Sequence, residues 1–307
     1  PFRSGAAVKI GSLTLKPIHV DHSIPGAYGL VVETSTGSFV YTGDLRAHGR
    51  ASRLTQDFAR AAADSDAKLL LTEATNMVGG SVSNEEEVAQ KLATVISEAK
   101  GLVMASFSGM DTDRLTSFQR AAESTERKLA ISMRQAHLLS VLADDGHIEG
   151  LPKLAKSNVV IYRRNKKRFE KWEEQVSGKA EVITSEELTA DPKRYVVATT
   201  LSDMEGMVGV KPSPGSVYIL SSSEPYNEEM ELDMQRLIEW LDFYGMPLYH
   251  IHVSGHIMPQ QLRRLVSGIG AKKVAPIHTE HPELFLKFAV EKRDAGFLPI
   301  RNHWIDV

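Results

Sequence analysis

The chain contains no cysteine. That excludes disulfides and thiolate metal ligands, so any metal must be held by imidazole and carboxylate. A cysteine-free composition suits a reducing compartment, and the expected location is cytoplasmic. No apolar run approaches the ~20 residues that a membrane helix needs. No basic-led apolar stretch opens the chain in the manner of a signal peptide, so no membrane partner is expected. Aromatic residues amount to only 7%. They are scattered, and Trp172 and Trp240 belong to no stacking platform of the kind RNA-binding sheets carry. Positive charge is not in excess either: 36 Lys and Arg stand against 39 Asp and Glu, a net charge of −3. Bulk charge therefore gives no support to a nucleic-acid partner, and only a local positive channel remains open.

What is present is the composition of a folded protein. In 307 residues, 42% are apolar and 24% charged, enough for one large α/β domain or two ordinary ones. The chain opens Pro1-Phe2-Arg3-Ser4 without an initiator Met, and a strand pattern begins at once with Val8, Ile10, Leu13 and Leu15. This reads as entry partway through a domain.

Period-2 alternation predicts a strand over 12–17, a hairpin around Thr36-Gly37 joins strands over 28–34 and 38–42, and 67–71 reads as a buried strand. From Ser83 the pattern changes. Ser83 with Glu86 reads as a capping box, and Val88, Leu92, Val95 and Ile96 form a helical stripe. Strands over 102–107, 129–132, 159–162, 181–184, 195–199 and 216–220 then alternate with helices, which predicts a parallel, doubly wound sheet. A helix over 230–241 follows. Two short strands, 249–253 and 274–277, flank a helix that Pro259 starts and Gly268 or Gly270 ends. Strand-rich, then α/β, then a short α/β return is the order of one domain interrupted by another. The boundaries read as 1–80, 81–245 and 246–307.

Polar residues that follow apolar strands are the candidates for chemistry: His22 in PIHVDHSIPGAYG, Asp44 in YTGDLRAHG, Glu73 in LLLTEATNM, His256 in HIHVSGHIMP and His278 in VAPIHTEHPE. Ligands and metals are commonly met at strand ends, where loops converge. Imidazole with carboxylate suits zinc or manganese, which acidify water and polarise phosphate esters. Singly, each has an ordinary reading as well: a hydrogen-bonded His, or an Asp in a turn.

In combination and order, HSIPGAYG, TGD, LTEATN, SGH and PIHTE resemble the β-CASP group of metallo-β-lactamase nucleases, and within it the ribonuclease J kind. The resemblance covers nearly the whole chain. It implies a metallo-β-lactamase αββα sandwich, incomplete at its N-terminus, with an inserted doubly wound β-CASP domain. It further implies that His22 ligates one zinc, that Asp44 bridges two, and that His278 ligates the second. Glu73 and His256 would form a pair beside the metals, with His256 the proton donor to the leaving oxygen. Manganese is the alternative to zinc. The implied substrate is single-stranded RNA, since His278 stands where DNA-repair members commonly carry an aliphatic residue. The implied activity is 5′-3′ exonuclease with endonuclease capacity, and the implied assembly is a homodimer. A non-catalytic RNA-binding subunit and a small-molecule hydrolase are the rival readings. Retention of Glu73, His256 and His278 disfavours the first, and the long insertion disfavours the second.

The family's HxHxDH motif is absent. IHVDH at 18–22 imitates its second half, but the SIPGAYG and TGD that follow identify a later motif. His250 and His252 read as strand residues, since SGH follows them directly. The absent motif would supply about four of roughly seven ligands on the two-metal template. The chain as given is therefore expected to bind metal weakly and turn over poorly, and its lactamase sheet would have open edges, with roughly 100 or more residues upstream. Weaker candidates for nucleic-acid contact are Ser106, Ser108 and Arg114 around the expected Asp111 cap, Ser254 beside His256, and the basic run Arg163, Arg164, Lys166, Lys167 and Arg168. Capping and a solvated helix start are their ordinary readings.

Overall fold

The computed structural model describes residues 3–78, 84–145, 150–166, 168–199, 209–291 and 295–300. Two units emerge, Pro1–Ser83 with Ser254–Val307, and Asn84–Val253. In the first, the alternating segments become β1 (Val8–Ile10), β2 (Leu13–His19), β3 (Tyr28–Thr34) and β4 (Gly37–Tyr41), antiparallel neighbours in turn. Helix α1 (Ser52–Ala63) then leads to β5 (Ala67–Glu73), parallel to β4. The sequence reading passed over α1, although Thr55, Phe58 and Ala62 lie on one helical face and are buried. Late in the chain, β13 (Lys273–Ile277) pairs in parallel with β5 and completes a six-stranded sheet, β1-β2-β3-β4-β5-β13.

Register decides which face of this sheet is core. Val31, Val40, Leu70 and Val274 are opposite one another across four strands. They pack with Phe58 of α1, with Leu262, Val266 and Ile269 of α8 (Pro259–Ile269) and with Phe285 of α9 (Pro282–Ala289). The next row, Val32, Phe39 and Leu69, faces the other way and is only half-buried, and Tyr41 is exposed. Among the described residues the first unit is thus one sheet with a helical layer on one face.

The second unit is built on β6 (Val103–Ser106), β7 (Lys128–Ser132), β8 (Val159–Tyr162), β9 (Val182–Ile183), β10 (Tyr195–Thr199), β11 (Val217–Leu220) and β12 (Leu248–His250). Their order is β12-β11-β6-β10-β7-β8-β9, parallel at every pairing. The strands VVIY, YVVAT and VYIL are buried at every position, as expected where both faces of a parallel sheet are covered. Helices α2 (Glu85–Glu98), α3 (Thr112–Ser124), α4 (Met133–Asp145), α5 (Lys171–Ser177), α6 (Ser185–Ala190) and α7 (Glu228–Tyr244) supply the crossovers and cover. Helix α2 is capped by the Asn84 side chain, which accepts from the Glu87 amide. The expected cap, Ser83, lies outside the described residues. Asp111 caps α3 as expected. Because β12 pairs with β11, residues 248–253 group with this unit, whereas the sequence reading began the return segment at 246.

Candidate metal centre

In the first unit, β2, β4, β5 and β13 all end on loops that carry candidate residues. The His22 and Asp44 loops are tied together beneath the surface. Arg46, fully buried, donates from Nε to Asp21 Oδ1 at 3.1 Å, and its amide donates to the Asp21 carbonyl at 2.7 Å. The turn that presents Asp44 depends on Gly43. Its φ is +60°, and a Cβ there would stand 2.8 Å from the Tyr28 carbonyl oxygen, so only glycine fits without strain.

Glu73 closes β5 with no exposure at all. One carboxylate oxygen accepts from the Leu45 amide at 2.7 Å, and the other accepts from His256 Nδ1 at 3.0 Å. A single buried carboxylate therefore fixes both the backbone beside Asp44 and the tautomer of His256, whose Nε2 is left for other work. Across the site, His278 Nδ1 lies 3.2 Å from Asp44 Oδ1. The His256 ring stands between two others, 5.2 Å between centroids to His22 and 5.2 Å to His278. His278 has φ +50°, a left-handed conformation that is uncommon outside glycine and marks a constrained position.

Electrostatics separate the two inner histidines. Burial pushes His22 below the ordinary imidazole value, outweighing its hydrogen bond to the Gly255 carbonyl. His256 is also pushed down by burial. The hydrogen bond to Glu73 and the charges of Glu73 and Asp44 together overcome this and hold it above the ordinary value. An imidazole with a raised pKa beside a buried carboxylate suits general acid work.

Asp44, His256 and His278 each offer a ligand atom, and these atoms all lie within 4.8 Å of one another. One carboxylate and two imidazoles form an N/O donor set that fits a zinc-like cation with an open coordination position. The resemblance implies His22 on one cation, Asp44 bridging two and His278 on the second. In the structure His256 lies within ligand reach of Asp44 and His278, and His22 is not in that group of three. His22 Nδ1 donates to the Gly255 carbonyl at 2.8 Å, so its Nε2 keeps a lone pair.

The other expected positions are distributed differently. His19 stacks on Tyr28 and is not in the cluster. His250 is in β12 and His252 follows it, both in the second unit. Arg114 is corrected as a phosphate contact. Its side chain is fully buried, donating to Glu85 Oε1 at 2.9 Å, to the Ser221 carbonyl at 2.7 Å and to the Val253 carbonyl at 3.1 Å. Ser106 is half-buried at the end of β6, and Ser108 is exposed. Ser254 Oγ accepts from the His256 amide at 3.2 Å, a turn role. Arg163, Arg164 and Arg168 are exposed beyond β8. Arg163 lies 4.0 Å above the Phe169 ring, and Lys166 is engaged by Glu173 at 2.6 Å. Lys167 lies outside the described residues.

Residue-by-residue reading missed Thr75, Asn76 and His48. Thr75 Oγ1 donates to the His278 carbonyl at 3.1 Å and stands 3.3 Å from Nδ1 of both His256 and His278. Thr75 and Asn76 sit within LTEATN, so the motif contained them, but nothing in a single sequence shows which hydroxyl or amide will turn inward.

No protein-family profile matches the chain. It is similar to ribonuclease J of Sinorhizobium meliloti, 26% identical over 308 residues, covering 94% of this chain and 51% of the relative. It is also similar to ribonuclease J of Thermus thermophilus, 29% identical over 282 residues, covering 87% of this chain and 45% of the relative. The chain is ribonuclease J-like. It spans about half the length of the ribonuclease J proteins it matches. A crystal structure of a protein of unknown function from Enterococcus faecalis V583 has the same fold, with a TM-score of 0.74 at 20% identity, covering 98% of this chain and 65% of that one. The fold of this ribonuclease J-like chain is mixed α/β, with antiparallel and parallel strands in its first unit and a parallel sheet in its second.

Proposed function

We propose that the chain is part of a metal-dependent ribonuclease that hydrolyses phosphodiester bonds of single-stranded RNA. The observation that carries this reading is the Glu73–His256 hydrogen bond beside the Asp44–His278 pair. Asp44 and His278 would hold a divalent cation, zinc or manganese. When bound, it supplies charge neutralisation at the phosphate and activation of water. The chain's own residues do the rest. Glu73 keeps the His256 ring oriented and its proton stable, and His256 supplies a proton to the oxygen that leaves phosphorus as the P–O bond breaks. If His256 instead serves as the third ligand, as the donor set allows, Glu73 acts behind it by fixing its tautomer. Exposed Arg163, Arg164 and Arg168 with Ser108 are the proposed contacts to RNA phosphates.

The 5′-3′ direction, endonuclease capacity and homodimer rest on the resemblance. A cytoplasmic location is supported by the lack of cysteine. No helix among the described residues is long and apolar enough to cross a membrane. The test is degradation of 5′-monophosphorylated single-stranded RNA by the chain with added zinc or manganese, beside chelated and His256→Ala controls. Metal-dependent cleavage that His256→Ala lowers supports the reading. A folded chain that holds the cation yet leaves RNA intact overturns it in favour of the binding-subunit reading.

A further inference from the structure

Between the second unit and α8, residues 254–256 form neither strand nor helix, so their carbonyls have no ladder to satisfy them. Buried carbonyls need partners. Here three successive ones are taken by side chains from three different loops. His48 Nε2 donates to the Ser254 carbonyl at 2.8 Å, His22 Nδ1 to the Gly255 carbonyl at 2.8 Å, and Asn76 Nδ2 to the His256 carbonyl at 2.9 Å. The donors follow β4, β2 and β5 respectively. His48 is itself held, its Nδ1 lying 3.1 Å from Gln261 Oε1, and it is only 7% exposed. The clasp is close: a Cβ on Gly255 would meet Ser23 Oγ at 2.5 Å.

We propose that His48 and Asn76 are positioning residues for His256. With the backbone gripped at Ser254 and at His256 itself, the His256 Cα cannot translate, and its Nδ1 stays 3.0 Å from Glu73 Oε2. Neither residue needs to touch substrate. Loss of either grip lets the ring leave Glu73 and lose its fixed tautomer. This inference rests on the reading of His256 as a working residue of the site.

The experiment uses the full chain with 15N-labelled histidine, and ring nitrogen shifts report which His256 nitrogen carries the proton. The His256→Gln protein assigns the signal. Wild type is expected to show the Nδ1–H form, and His48→Ala and Asn76→Ala a mixture. His48→Gln, which keeps a donor near the Nε2 position, is expected to restore the wild-type form. In RNA cleavage, the two alanine variants are expected to lose about 10- to 100-fold in kcat, the usual scale for groups that orient a metal-site residue, with KM unchanged. If His48→Ala does not fold, Gln261→Ala, which removes the group that orients His48 along with the bond from the Met258 amide at the start of α8, is expected to give a partial change of the same kind. Folded variants with the wild-type tautomer and wild-type kcat overturn the proposal. If the tautomer responds but wild type cleaves no RNA, the ribonuclease reading fails and the clasp stands. Cleavage by every variant with an unmoved His256 signal is the reverse.

Discussion

Asp21 and Arg46 form an ion pair with almost no exposure, Nε to Oδ1 at 3.1 Å, and each sits within two residues of a candidate ligand. Removing one partner of a buried pair leaves the other charge uncompensated, at a cost of about 3–5 kcal/mol. Asp21→Ala is therefore expected to lower stability by that order, read as a drop in the denaturant midpoint. It is also expected to weaken cation binding, because the His22 and Asp44 loops lose their common anchor. A folded Asp21→Ala protein with unchanged midpoint and unchanged binding would show that the pair does not hold these loops.

Glu73 serves two masters, the Leu45 amide and His256 Nδ1. Glu73→Gln keeps an oxygen for Leu45 but can no longer accept from His256 with both oxygens available as acceptors. We expect cation affinity or kcat to fall by about 10- to 100-fold, as for other groups behind a metal site, with the fold intact. Asp44→Ala and His278→Ala should lose more than this, since they remove a candidate ligand outright. Cobalt titration followed by its visible absorption ranks these variants, and His19→Ala, which lies outside the cluster, serves as the unchanged control.

Much of this arrangement was legible from the sequence, and the reasons differ by residue. Strands such as Tyr28–Thr34, Val159–Tyr162 and Tyr195–Thr199 announce themselves by alternation or by unbroken apolar runs. Helix α1 was missed because its stripe of Thr55, Phe58 and Ala62 is short and set among alanines. The cluster of Asp44, His256 and His278 was visible only as ordered motifs, since strand pairing brings Asp44 and His278 together from opposite ends of the chain. The place of Arg114 was not legible. A basic residue just inside a helix N-terminus reads as a phosphate contact, and only the fold shows Glu85 waiting for it.

That ion pair supports a prediction of its own. Arg114 donates to Glu85, to Ser221 and to Val253 with no exposure, so Arg114→Ala would strand the Glu85 carboxylate. A loss of about 3–5 kcal/mol is expected in the second unit. Were Arg114 a phosphate contact instead, the variant would keep its stability and show a shallower salt dependence of RNA binding. Thermal unfolding and a salt titration on the same protein separate the two.

His252 gives the second unit a pH dependence. Its Nδ1 stands 3.1 Å from Arg114 Nη1 and 3.3 Å from the Ser221 carbonyl oxygen. Burial first, and the Arg114 charge second, push its pKa down to about 4 from 6.5. Because the unfolded chain then takes up a proton more readily than the folded one, the stabilising contribution is complete above pH 6.5. It declines as pH falls from there towards 4, by at most about 3 kcal/mol. His252→Asn keeps a hydrogen-bonding group near the Nδ1 position and removes the titration. Melting temperature followed from pH 7.5 to about 4.5 should fall more steeply in wild type than in His252→Asn. Parallel curves would mean that the ring is already protonated in the folded protein or that Arg114 does not face it.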